Sequence, residues 1–171
     1  MKLHALCVSI LFIGASAPSL AQTGMPARKA GLWEETHKSN LSAKAGRSLH
    51  CVGEGPDHAL DLEMGDANDN GTCAPATVNR RQGLLTLEKR CKLGKSSTHA
   101  VATYKGNFAS SYEMTYITQI TPAIDGRTEL AGKIRARWIG ACKAGQNPGD
   151  VVGDSGAKIN LLDFRKAFAP K

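Results

Sequence analysis

The chain has 171 residues, with 22 Lys and Arg against 15 Asp and Glu, a formal charge of +7 and only 5% aromatic residues. That length accommodates one domain with a sizeable core and not two. The basic balance favours anionic partners in general, but sparse Tyr and Phe offer no stacking platform for nucleic acid, and no stretch reaches the roughly 20 apolar residues that cross a bilayer.

Residues 1–21 read as a secretory signal peptide. Lys2 precedes the apolar run Leu6-Cys7-Val8-Ser9-Ile10-Leu11-Phe12-Ile13, and small residues lead to a cleavage site at Ser19-Leu20-Ala21. Gly14, Ser16 and Pro18 stop the run short of a membrane span, and Cys7 leaves with the leader. The expectation is a soluble, periplasmic mature protein. Without Lys2 it carries 21 basic residues against 15 acidic ones, a net charge of +6.

Two short strands are expected first, over residues 31–37 and 48–52. Pro56 then opens a short helix over residues 56–64, with Ala59, Leu60 and Met64 spaced for one face. Asp66-Ala67-Asn68-Asp69-Asn70-Gly71 follows and matches the first half of a calcium loop. Its twelfth position is Thr77 where a bidentate Glu is needed, and Pro75 lies inside it. A plain Asn/Asp/Gly turn therefore accounts for the segment.

A β-meander comes next, over residues 74–78, 84–91, 98–104, 108–120 and 128–140. In the last of these Leu130, Ile134, Ala136 and Trp138 share one face, while Glu129, Lys133, Arg135 and Arg137 share the other. Phe108, Tyr112, Met114 and Tyr116 keep one parity, as do Leu85 and Leu87. Turns are expected at residues 79–83, at Gly106-Asn107 and at Asp125-Gly126, the last a dipeptide suited to a tight hairpin. Residues 22–143 thus form a mainly β, antiparallel domain, folded as a sandwich or partly open barrel. Residues 144–171 read as a Gly/Pro-rich linker and an amphipathic C-terminal helix, with Leu161, Phe164 and Phe168 on one stripe. That helix is expected to dock on the domain, or else to meet a membrane surface or partner.

Charge is unevenly distributed. Six acids and no Lys or Arg lie between Glu54 and Asp69, whereas residues 80–105 carry seven bases against Glu88 alone. In one small domain such blocks commonly face each other or stay solvated. Lys133, Arg135 and Arg137 form a basic row on a wet sheet face, where charge also guards against edge-to-edge association.

After the leader, four cysteines remain: Cys51, Cys73, Cys91 and Cys142. They permit three pairings. A hairpin turning about residues 81 and 82 would bring Cys73 within one position of Cys91, leaving Cys51 for Cys142. Loop-closure entropy gives such bridges about 3 and about 4.6 kcal/mol, comparable with the whole stability of a domain this size. Spacings of 22, 18 and 51 residues lack the close pairs of a zinc knuckle.

No G-x-S-x-G, Gly-rich phosphate loop, H-E-x-x-H or C-x-x-C occurs. The mature histidines, His37, His50, His58 and His99, are scattered along the chain. On a strand His50 points away from Cys51, and Glu34 away from Glu35, so neither pair makes a catalytic couple. Sequence therefore assigns no catalytic, cofactor-binding or metal-ligating residue and no cofactor.

Gly31-Leu32-Trp33-Glu34 near the start and Ile139-Gly140-Ala141-Cys142 at the end of the β region, with four cysteines in this order between leader and tail, resemble the bacterial family catalogued as domain of unknown function thirty-six-seventeen. The resemblance covers residues 29–143 and implies an exported β-rich domain without assigned activity. The tail from Ala144 and the scarcity of Met depart from its pattern. The expected role is non-catalytic binding or structure in the cell envelope, with an apolar or envelope-derived ligand inside the sheet's curvature. The alternatives are a calcium-stabilised interaction module and an envelope enzyme with a dispersed active site, which three His or carboxylate groups converging in a cleft would favour.

Overall fold

A computed structural model describes residues 25–57 and 73–168. The leader at 1–21, the expected helix from residue 58 on and the Asp66 to Gly71 loop lie outside the described residues. Among these, nine strands form one continuous antiparallel sheet that does not close: β1 (Gly31–Ser39), β2 (Gly46–Val52), β3 (Thr77–Arg81), β4 (Leu84–Leu93), β5 (Ser96–Asn107), β6 (Ser111–Ile124), β7 (Arg127–Gly140), β8 (Asp150–Gly153) and β9 (Lys158–Asn160). The strand order is β3-β4-β5-β6-β7-β1-β2-β8-β9. A helix, α1 (Leu161–Phe168), follows the last strand.

The meander is built from tight turns. Asp125 and Gly126 both adopt positive φ between Ile124 and Arg127, and Gln82 and Gly83 do the same between Arg81 and Leu84. The second turn is later than residues 79–83 suggest, so Asn79 to Arg81 belong to the strand and β3 begins only at Thr77. Pro75 has no N–H to give a ladder, which explains the late start. From Thr77↔Glu88 the register alone would set Cys73 opposite residue 92, yet the isolated bridge pairs Cys73 with Cys91. One extra residue is absorbed around Pro75. Similarly, Phe108 falls in the β5–β6 turn and not in β6, although its ring stacks on Tyr112 at 4.8 Å between centroids.

Residues 31–34 and 139–142 meet where β1 joins β7. Gly31 has φ +127°, and a Cβ there would stand 2.3 Å from the Gly140 carbonyl oxygen. Only glycine tolerates both the conformation and the approach. Trp33 is completely buried and donates Nε1–H to the Lys29 carbonyl at 2.7 Å, while Trp138 donates to Ala30 at 3.0 Å. Cys142 follows directly and is bridged to Cys51; a second bridge joins Cys73 to Cys91. Two such bridges suggest an oxidising, exported environment. No helix among the described residues is long and apolar enough to cross a membrane.

The two sheet faces differ as period two demands. On the outer face Glu113 pairs with Lys133 and Arg135, and Glu34 with Arg47 and Arg137, so the basic row of β7 is matched by carboxylates on its neighbours. The inner face collects Trp33, Val52, Leu85, Ala102, Tyr104, Tyr112, Met114 and Ala136 into one buried cluster. The stretch read as a linker contains β8, which pairs with β2 and extends the sheet. A four-residue strand flanked by Gly gives too little alternation to be seen in sequence.

Candidate functional site

Along β5 the inner face runs Tyr104, Ala102, Ala100. At the Tyr104 end, Trp33, Tyr112 and Phe108 fill the curve of the sheet. At the other end the two alanines leave it hollow, and a cavity of about 640 Å³ results. Its walls come from strands spread across the whole sheet: Leu87, Lys89 and Cys91 of β4, Met114, Tyr116 and Thr118 of β6, Ile134 of β7, and Val151 of β8. Leu161 at the start of α1 adds to the wall. That β4 and β8 line one space shows how strongly the sheet curls. Gly132 makes room for the Tyr116 side chain, because a Cβ there would lie 2.5 Å from the Tyr116 hydroxyl.

The polar part of the wall comes from β1 and β2. Glu35 and His37 are two residues apart on β1 and share its inner face; opposite Glu35 is Ser48, and opposite Trp33 is His50. The histidines that look scattered in sequence are thus neighbours, with ring centroids 6.5 Å apart. The Ser48 hydroxyl lies 2.8 Å from His37 Nε2 and 2.9 Å from His50 Nε2. A hydroxyl has one proton to donate, so at least one imidazole donates to its oxygen if both contacts are hydrogen bonds. Both Nε2 atoms also lie 3.5 Å from Glu35 Oε2. His99 lies elsewhere, against Glu88 on the outer face, and His58 is outside the described residues.

Glu35 is fully buried and belongs to a wider ionic group. Its Oε1 accepts Arg28 Nη1–H at 2.7 Å and the Tyr112 hydroxyl at 3.0 Å. Arg28, itself 2% exposed, donates through Nε to Asp57 at 2.6 Å. Glu34 and Glu35 do face apart: Glu34 is on the outer face, where hydrogen bonds from Arg47 and then Arg137 hold its carboxyl below the usual range. Cys51, beside His50, is bridged to Cys142, and Cys91 in the cavity wall is bridged to Cys73. The sulfurs of these four residues are therefore not thiol nucleophiles.

Sequence alone leaves this group unassembled. The only local sign is the Glu35-Thr36-His37 spacing; His50 joins through the β1–β2 register, and Arg28 and Asp57 through long-range packing. Residues 28–142 match the family model described as a protein of unknown function, DUF3617. No curated protein and no solved structure matches significantly.

Proposed function

The chain belongs to the DUF3617 family of proteins of unknown function, and we propose that it is an exported, non-catalytic binding domain of the cell envelope that holds an apolar, envelope-derived small molecule in the hollow of its sheet. The cavity carries this reading. Its volume of about 640 Å³ suits a small ligand, and predominantly apolar walls with a few grouped polar side chains are what such sites use to bind and orient one. His37, Ser48 and His50 at one wall suit a ligand with an apolar body and a polar end. The signal-like residues 1–21 and the two bridges support a periplasmic setting.

Native mass spectrometry of the protein isolated from its own periplasm tests this. One bound small molecule is expected, and Ala100→Trp, at a partly buried position of the cavity wall, should abolish it. Protein from that source carrying no adduct, and taking up no apolar fluorescent probe, would overturn the proposal. The convergence of Glu35, His37 and His50 supports a second reading, an envelope enzyme with a dispersed site. Conversion of the retained molecule by wild-type protein but not by His37→Gln would favour it over passive binding.

A further inference from the structure

The geometry points to a site for one divalent transition-metal ion of the zinc type, held by Glu35 Oε2, His37 Nε2 and His50 Nε2 at the wall of the cavity. Three donor atoms, one from each residue, lie within 4.8 Å of one another, and both imidazole nitrogens stand 3.5 Å from the carboxylate oxygen. Two donors bound about 2.0–2.1 Å from a tetrahedral ion are about 3.4 Å apart. The two carboxylate–imidazole separations already match that value, and the imidazole–imidazole separation, at most 4.8 Å, has to close by no more than about 1.4 Å. Two imidazoles and one carboxylate suit zinc and its first-row neighbours, whereas calcium and magnesium require all-oxygen sets.

The surroundings fit that role. The donors stand on two paired strands, so backbone register and not a loop sets their spacing. Arg28 and Tyr112 bind Glu35 through Oε1, which orients Oε2 toward the imidazoles, as outer-shell partners of metal ligands do. Ionised Glu35 and Asp57 offset the charges of Arg28 and of Lys89, which lines the same cavity, so no net positive charge stands against a divalent cation. The His37 side chain is 39% exposed, which provides an entry path, and the cavity side leaves coordination positions for water or a ligand. Ser48 bridges both Nε2 atoms when no ion intervenes. A purely hydrogen-bonded Glu–Ser–His network is the rival account, and it requires no ion.

The test uses untagged mature protein, dialysed against chelator and titrated with Zn²⁺ by calorimetry and with Co²⁺ by visible absorption. One equivalent should bind, with a Co²⁺ spectrum of low coordination number. His37→Gln and His50→Gln should each weaken binding about 100-fold or more. His99→Gln, which alters the separate His99–Glu88 contact, should be unchanged. Should the buried His50 variant fail to fold, the half-exposed His37 variant decides alone. Absence of stoichiometric binding, or binding that survives His37→Gln, would overturn the site and leave the hydrogen-bond network as its explanation.

Discussion

Arg28 occupies the centre of the most consequential group of single residues. It is buried between two carboxylates, Glu35 and Asp57, with side-chain exposures of 0%, 0% and 4%. An ion group so far from water gains little over apolar packing as a whole, but removing one member strands the others' charge in a poor dielectric. Arg28→Met should therefore cost about 3–5 kcal/mol of unfolding free energy in urea, with a smaller loss for Arg28→Lys, which keeps the charge. A loss under 1 kcal/mol for the Met variant would mean that water or rearrangement supports Glu35 without Arg28. Residues of this kind are the least legible in a sequence. Leu85, Leu87, Met114 and Ala136 announce their burial by parity, and the structure buries all four; nothing local says that Arg28 is buried or that Glu35 points inward to meet His50. The alternation shows that Glu34 and Glu35 face apart, but the identity of the buried one depends on which face of β1 meets the core.

At the scale of elements, β4 to β7 follow from alternation and turn chemistry, whereas β8, β9 and α1 depend on one carboxylate. Asp150 is 3% exposed and accepts hydrogen bonds from Asn147 N–H, Asn160 Nδ2 and Lys158 Nζ. Asn160 also caps α1, its Oδ1 accepting the Asp163 N–H at 3.0 Å. The Asn147 backbone bond, then Asn160, hold the Asp150 carboxyl below the usual range. A folded-state pKa below the unfolded value, about 3.9, gives stabilisation that is complete above that value and is lost as pH falls through it toward the folded pKa. Urea unfolding midpoints should thus decline between about pH 5 and pH 2 more steeply in wild type than in Asp150→Asn, which has no such carboxylate to protonate. Glu34, Glu88 and Glu113 have lowered pKa values too and remain in both proteins, so the difference between the two curves isolates Asp150. Equal slopes would mean that the unfolded chain depresses this carboxyl as much as the fold does. Sequence could not reveal this arrangement, because Asp150, Lys158 and Asn160 read as polar residues in a Gly-rich stretch until β8 and β9 pair.

For the molecule as a whole, the order of strands explains why the cavity and the ionic wall respond differently to shortening the chain. The family match ends at residue 142, yet Val151 and Leu161 beyond it line the cavity, and β8 covers the edge of β2. Glu35, His37 and His50 lie inside the match, on β1 and β2, and their mutual positions are set by β1 pairing with β2 and β7. Cys142 ties the chain just after β7 to Cys51 on β2, so a covalent link between these two strands, which flank β1 in the sheet, remains without the tail. A chain ending at Lys143 should therefore fold with both bridges formed and a far-UV spectrum of β type. Uncovering the apolar surface beneath Val151 and Leu161 should lower its unfolding free energy by about 3 kcal/mol. It should no longer retain a small molecule in native mass spectrometry, because the hollow is open along β2, but should still take up one equivalent of Zn²⁺. Retention of the small molecule by the shortened chain would place the ligand away from this hollow, and loss of both ligand and metal in a folded chain would mean that β8 holds β2 in the register on which the ionic wall depends.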